Sequence, residues 1–318
     1  MPLVVFITGC SSGIGLASAV TLAKDPSKRF LVYATILKAF EEETRFQEAV
    51  DGKQILDQTL FPVQMDITND ESVRDAVATV MKQQGRIDIL VNNAGVAMVN
   101  VSETASVEQA KKLFDINFFG NFRVTKEILP GMKKQRSGRI INISSNNGIF
   151  CNPYLGLYAA TKQAIEAFSQ ETAIIGRFFD IWVSVIEPGP VDTPIRQTII
   201  SSGMGGVEHI AQTPDIDDLD KHLARYFEVE SEYHGHPMQQ PEEIAEIVIE
   251  AATAEKPHFR YQSSKAVEDT AKEIFIDVTG DSYIDSRASK LKSCTDKICT
   301  SPPQQKVDMN KKINIQQS

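Results

Sequence analysis

The chain has 318 residues, 42% of them hydrophobic, enough for one large core or two small ones. Its formal charge is -9, and an acidic surface excludes non-specific nucleic-acid binding, which relies on clustered Lys and Arg. Four cysteines (Cys10, Cys151, Cys294, Cys299) are too few and too scattered for a disulfide framework. They imply free thiols in a reducing, cytoplasmic compartment. His234 and His236 flank Gly235 with no further ligands nearby, so no metal is expected. No apolar run reaches the ~20 residues of a membrane span. Residues 3–8 lack the basic flank of a secretory signal. Peripheral membrane contact stays open.

In chain order, residues 3–8 (LVVFIT) form a continuous β-branched run, the pattern of a strand buried on both faces. Residues 13–24 carry Ile14, Ala17, Val20 and Leu22 at helical spacing. Residues 30–35 read as a second strand, 40–50 as a charged helix and 61–65 as a third strand. A helix over 70–83 presents Val73, Val77 and Val80 on one face, with Asn69 or Asp70 as its N-cap. Residues 87–91 give a fourth strand. A long helical stretch covers 107–134, with a break expected near Pro130 and Gly131. Then come a fifth strand over 139–143, a helix over 158–178 and a sixth strand over 181–186.

After Pro188 the pattern changes. Pro190, Pro194, Gly203, Gly205, Gly206 and the acidic run 215–220 mark an insertion, about 194–237, rather than a second domain. Pro241, with Glu242 and Glu243, opens a helix to Ala254. Residues 259–261 read as a last short strand. One folded domain is expected over 1–284, followed by a polar, disordered tail over 285–318. Strand–helix alternation of this kind implies an α/β fold: a parallel sheet with helices on both faces and right-handed crossovers.

Thr8-Gly9-Cys10-Ser11-Ser12-Gly13-Ile14-Gly15 joins the first strand to the first helix. Glycines are needed where backbone turns tightly, approaches a phosphate and packs a helix on a sheet. The helix start offers unpaired N–H groups and a positive dipole end to a pyrophosphate. The competing reading is a structural turn that binds nothing. An acid at the end of the second strand would pair with a ribose 2′-OH and repel a 2′-phosphate. The chain reads Ala34-Thr35-Ile36-Leu37-Lys38, with no acid before Glu41, and Ser12 and Lys38 are placed to meet a phosphate. This favours NADP(H), with NAD(H) as the alternative and a solvated surface Lys38 as the competing reading.

Tyr158-Ala159-Ala160-Thr161-Lys162 puts a phenol and an ammonium at i and i+4 on one helix face. A fixed cation lowers a phenol's pKa, which makes the pair a general acid/base device. By itself the pair reads as a surface contact. It is accompanied by Asn92-Asn93-Ala94-Gly95 after the fourth strand, Ile143-Ser144-Ser145 after the fifth, Pro188-Gly189 after the sixth, and Asn117 within Asp115-Ile116-Asn117-Phe118. Carboxyl ends of parallel strands are where ligands sit in such sheets.

With these residues the chain resembles the classical short-chain dehydrogenase/reductase family over about residues 3–254. The resemblance implies a single Rossmann-type domain, a doubly wound parallel sheet of about seven strands with a substrate-side insertion. It implies Asn117, Ser145, Tyr158 and Lys162 as a catalytic set, with Tyr158 exchanging the hydroxyl proton. Lys162 would lower the Tyr158 pKa and hold the nicotinamide ribose, Ser145 the reacting oxygen, and Asn117 a relay water. It implies a cofactor bed of Thr8, Gly9, Ser11, Ser12, Gly13, Ile14, Gly15, Asp66, Ile67, Asn93, Ala94, Gly95, Tyr158, Lys162, Pro188, Gly189, Val191 and Thr193, to which the residues after the second strand add Lys38. The opening 5–16, residues 25–27 and 32–35, Gln240-Pro241-Glu242-Glu243-Ile244-Ala245-Glu246 and Lys256-Pro257-His258-Phe259-Arg260-Tyr261 resemble the 17β-hydroxysteroid dehydrogenase type 1 and photoreceptor-type retinol dehydrogenase branch. That branch implies a small apolar alcohol or carbonyl as substrate, a steroid or retinoid, and a homodimer through the 107–134 and 158–178 helices. It commonly has Arg where this chain has Leu37, and an ammonium at Lys38 is not a guanidinium.

Substrate selectivity is expected from 194–237 and the region near 259–283. Ile195, Ile199, Ile200, Met204, Leu219, Leu223, Tyr226 and Phe227 supply apolar surface, as do Ile149, Phe150 and Tyr154 before Tyr158. His222 is a candidate polar anchor. The alternatives are another lipophilic or xenobiotic carbonyl, or a dinucleotide-binding sensor or scaffold without catalysis. The intact set of Asn117, Ser145, Tyr158 and Lys162 argues against the last.

Overall fold

The computed structural model describes residues 1–51, 54–195, 210, 216–218, 221 and 238–276. The apolar runs form β1 (Leu3–Ile7), β2 (Phe30–Ile36), β3 (Leu60–Gln64), β4 (Ile89–Asn92), β5 (Gly138–Ile143), β6 (Ile181–Glu187) and β7 (Arg260–Gln262). They make one seven-stranded sheet in the order β3-β2-β1-β4-β5-β6-β7, parallel at every pairing.

Successive side chains of a strand point to opposite faces, and β1 shows what that does here. Val5 and Ile7 join a core with β2, α1 (Gly13–Ala23), α2 (Thr44–Val50) and α7 (Pro241–Thr253). Val4 and Phe6 join a core on the other face with α3 (Asp70–Gln84) and α5 (Gly120–Gln135). An unbroken apolar run is what a strand dry on both faces requires. Each such buried side chain is worth about 1.5–3 kcal/mol relative to exposure. The helices α4 (Val107–Phe114), α6 (Gly156–Gly176) and α8 (Lys265–Ile276) complete the fold. Asn69, not Asp70, caps α3, accepting from the N–H groups of Glu71 and Ser72, a contact worth about 1 kcal/mol. Among the described residues no helix is long and apolar enough to cross a membrane.

The structure corrects the sequence reading in three places. The 107–134 stretch does not break at Pro130, which lies inside α5. Pro130 and Lys126, whose carbonyl it frees, are both exposed, so water can take the lost bond. The irregularity comes earlier, as a π-helical turn over Asp115–Phe119 between α4 and α5. The charged 40–50 helix is a 3-10 turn, Phe40–Glu42, followed by α2. No helix was expected where α8 stands; it buries Val267 and Ala271 beyond β7.

The expected tail and most of the insertion, with Ile199, Ile200, Met204, Leu219, His222, Leu223, Tyr226 and Phe227, lie outside the described residues. Ile210 and Ile216 of the insertion are buried against Val101. The strand order reverses between β1 and β4, and the carboxyl ends of these two strands border the crevice where such sheets bind ligands.

Candidate active site

Two loops build the crevice, one after β1 and one after β4. Gly9 has φ +70° and Gly13 φ +57°, values that favour glycine. A Cβ on Gly9 would lie 2.7 Å from Cα of Ala94, and one on Gly15 2.4 Å from Nδ2 of Asn93. The loops therefore touch backbone to backbone. Thr8 Oγ1 accepts from the N–H groups of Asn93 and Ala94, each at 2.9 Å. Asn93 Nδ2 donates to the carbonyls of Thr8 (2.9 Å) and Gly9 (3.0 Å). Thr193 closes over the turn, its methyl 3.1 Å from where a Cβ on Gly13 would stand.

Ser12 is the N-cap of α1 but makes no side-chain cap bond. The helix start thus has no side chain competing with an anion for its N–H groups. A cradle that a Cβ would fill and an uncapped helix start fit the pyrophosphate of a dinucleotide. Thr35, which the sequence reading passed over, supports the turn: Oγ1 accepts from the Gly9 N–H (3.2 Å) and its carbonyl from the Cys10 N–H (2.7 Å). A hydroxyl inside the apolar run of β2 was the available signal. Cys10 is buried, and burial pushes its thiol far above the ordinary range.

The remaining cofactor candidates rim the same crevice. Asp66 stands just past β3, where Oδ1 accepts from both the N–H (2.9 Å) and hydroxyl (2.7 Å) of Thr68. Ile67 packs against Gly120, where a Cβ would meet its Cγ1 at 2.8 Å. The Pro188 carbonyl accepts from the Asn146 N–H at 2.8 Å. The Gly189 N–H donates to Ser263 Oγ at 3.1 Å, and Val191 bridges to Gln239. Lys38 is exposed, and its backbone N–H donates to Glu43 Oε1 at 3.1 Å.

The four catalytic candidates meet behind this rim. Lys162 is buried, and Nζ donates to the carbonyl of Ile143, the last residue of β5, at 2.9 Å. Burial pulls its pKa down to about 8, against the pull of the Glu166 carboxylate one turn along α6. Burial pushes the Tyr158 phenol above its usual value, and the neighbouring Ser145 hydroxyl only partly offsets the effect. The sequence reading expected the opposite direction from the Lys162 charge. Nζ lies 5.7 Å from the Tyr158 ring centroid and is engaged by the Ile143 carbonyl, so desolvation wins. Ser145 Oγ donates to Asn146 Oδ1 (3.0 Å) and accepts from the Asn147 N–H (3.2 Å).

Asn117 sits in the π-helical turn, fully buried. Its carboxamide grips Val96 twice, accepting from the N–H (2.8 Å) and donating to the carbonyl (2.9 Å), and reaches Thr161 Oγ1 at 3.0 Å. A Cβ on Gly95 would meet Asn117 Oδ1 at 3.3 Å and Lys162 Nζ at 3.7 Å, which places Gly95 between them. The extra residue of the π turn is what aims Asn117 at this loop.

Sequence reasoning also missed a buried ion cluster behind α6. Arg260 Nη1 lies 2.9 Å from Glu166 Oε2 and pairs with Glu187, which Gln262 also holds. Burial pushes the carboxyl of Glu187 up to about 7, with the Glu166 charge adding to the rise. The signals were a Glu one turn after Lys162 and a charge closing the apolar run of β6.

Residues 3–202 match the family model described as short chain dehydrogenase, and the chain belongs to that family. It is 35% identical over 295 residues to retinol dehydrogenase 8 of Homo sapiens, covering 92% of this chain and 91% of that one. It is 33% identical over 281 residues to 17-beta-hydroxysteroid dehydrogenase type 1 of Homo sapiens, covering 88% and 83%. In structure it is similar to a short-chain dehydrogenase from Streptomyces avermitilis, with a TM-score of 0.67, 23% identity and coverage of 92% and 96%. The chain is thus an oxidoreductase of the short-chain type, in the branch that holds those two human relatives, with a nicotinamide dinucleotide as its cofactor.

Proposed function

We propose that this enzyme interconverts the alcohol and carbonyl of a steroid (17β-hydroxy and 17-keto) or a retinoid (retinol and retinal), with Asn117, Ser145, Tyr158 and Lys162 as its catalytic set. The observation that carries this reading is buried Lys162, its Nζ 5.7 Å from the Tyr158 ring centroid and 3.7 Å from where a Cβ on Gly95 would stand, next to the clasped glycine turn. The names of the human relatives support the substrate class. So does the apolar neighbourhood of Tyr158, which packs with Met98, Leu113, Leu157 and Ile195.

When bound, a nicotinamide supplies or accepts the hydride. The protein's part is position, charge and one proton. Tyr158, kept protonated by burial, donates its proton to a carbonyl oxygen in the reducing direction. The Lys162 ammonium, charged below pH of about 8, favours the phenolate that remains. The Ser145 hydroxyl bonds the reacting oxygen and stabilises its developing charge. Asn117 holds the Gly95 loop against Lys162, and beside that loop it would help hold a water of the proton relay. Ser12 and Lys38 favour NADP(H) by polarity and charge alone, whereas Glu43, half-buried between Ser11 and Lys38, opposes it. Exposed Phe119 and Phe122, and Phe178 just past α6, support a homodimer through the 107–134 and 158–178 stretches.

The test is cofactor turnover by purified protein with estrone and with all-trans-retinal, beside Tyr158→Phe. We expect turnover of one substrate, and a loss of at least ~100-fold in the variant with dinucleotide binding retained. Equal rates in wild type and variant would overturn the assignment of Tyr158. Dinucleotide binding without turnover of either substrate would overturn the steroid/retinoid reading.

A further inference from the structure

We infer that Glu43 selects between the two nicotinamide dinucleotides, and that it makes this enzyme prefer NAD(H) over NADP(H). The inference rests on the dinucleotide reading of the glycine turn.

Two segments meet at the adenosine end of that turn: Ser11, in the loop between β1 and α1, and Leu37–Lys38, just past β2. An acid reaching this place accepts from a ribose 2′-OH and repels a 2′-phosphate. No acid stands at the end of β2, where such a residue is ordinarily sought. The fold brings one from elsewhere. After β2 the chain makes the 3-10 turn Phe40–Glu42, and this turn carries Glu43 back over the glycine loop. Glu43 Oε1 accepts from Ser11 Oγ at 3.0 Å and from the Lys38 backbone N–H at 3.1 Å. Ser11 Oγ in turn lies 3.5 Å from the Leu37 nitrogen. One carboxylate oxygen therefore ties together both segments that would surround a 2′-substituent.

The neighbouring side chains do not offset this charge in the way a phosphate needs. Leu37, first after the strand, is 59% exposed and carries no donor. Ser11, a donor that a 2′-phosphate would want, already gives its hydroxyl to Glu43. Lys38 gives Glu43 its backbone N–H, and its side chain is exposed. A phosphate monoester of about -1.5 to -2 charge would meet a carboxylate here, while a ribose hydroxyl would meet an acceptor. The sequence counted Lys38 and stopped at the absence of an acid before Glu41. It is the turn after Phe40 that reverses the balance.

Binding of NADH and NADPH to the purified full chain, read by nicotinamide fluorescence without substrate, tests this. Wild type should bind NADH at least ~10-fold more tightly than NADPH, the effect of one screened like-charge contact. Glu43→Gln keeps an oxygen to accept from Ser11 and Lys38 but removes the charge, and it should narrow that ratio by about tenfold. Leu37→Arg, which adds a phosphate partner and leaves Glu43 in place, should improve NADPH binding more than NADH binding. Tighter NADPH than NADH binding in wild type, or an unchanged ratio in Glu43→Gln, overturns the inference while leaving the dinucleotide reading intact. If wild type binds neither dinucleotide, the reading beneath it falls and the inference with it.

Discussion

Two arginines each hold two carboxylates, in opposite settings. Arg260 pairs with Glu166 and Glu187 in the interior, where Glu187 has no exposed surface. Arg123 pairs with Asp70 (2.5 Å) and Asp115 (2.6 Å) at the protein's edge, where the Asp70 side chain is 67% exposed. Both link distant segments. The outer cluster ties the start of α3 to the π-helical turn and α5 in a medium where water competes for every bond. The inner cluster joins α6, the end of β6 and β7 with both carboxylates buried, and desolvation raises both carboxyl pKa values. Apolar residues of the same volume would hold those segments as firmly. What an apolar replacement lacks is a negative charge one turn from Lys162, beside the Ser145 loop. A Cβ on Gly148 would meet Ser144 Oγ at 2.4 Å and Glu166 Oε1 at 2.9 Å, so that loop rests on Glu166.

The largest effect should come from Arg260→Met, which strands two buried carboxylates. We expect a loss of about 3–5 kcal/mol in urea denaturation, as for other broken buried pairs. A loss similar to that at the outer arginine would erase the distinction drawn above.

Next is the pH dependence that Glu187 imposes. Its folded pKa is raised from 4.5 to about 7, so the folded state binds more protons than the unfolded one between those values. Stability from this group is therefore full below pH of about 4.5 and falls as pH rises through about 7. Glu187→Gln should flatten that fall when unfolding midpoints are compared at about pH 5 and about pH 7.5. An unchanged slope would mean that Glu187 is ionised throughout.

A smaller effect is catalytic. The Glu166 carboxylate pulls the Lys162 pKa upward toward its value of about 8. In Glu166→Gln the basic limb of kcat/KM, which reports the free enzyme, should move to lower pH. Retention of the wild-type profile would reduce Glu166 to a strut. The smallest effect belongs to Arg123→Met, which should cost less than about 1 kcal/mol by the same denaturation measurement.

The parts of the molecule legible from sequence are those set by local pattern. The β1 run, the spacing of Gly9, Gly13 and Gly15, and the i, i+4 pair Tyr158 and Lys162 each declare themselves within a few residues. They point to the crevice because strands, turns and helices follow short periods. The π-helical turn was not legible, since one extra residue hardly disturbs apolar spacing over 107–134. α8 was missed because its described buried positions, Val267 and Ala271, are few and small. Arg260 stands 73 residues from Glu187, a pairing that no window of sequence contains. The direction of the Tyr158 shift was misjudged for the same reason: helical spacing brings Lys162 near, but only the tertiary structure shows its Nζ bonded to Ile143.

The place of β1 in the sheet has a consequence for how the chain reaches this state. Its register with β2 is set across 27 residues, Leu3 beside Phe30, but its other edge waits for β4, where Val5 meets Ile89. At synthesis rates of about 5–20 residues per second, the interval between making those two partners is about 4–17 s. Throughout it an apolar strand with Val4, Val5 and Phe6 keeps one row of backbone donors and acceptors unpaired. Until α3 and β4 arrive, the nascent domain is a sticky half-sheet. Its yield on refolding should therefore fall steeply with protein concentration, even though the finished sheet buries that strand from Val4 to Ile7.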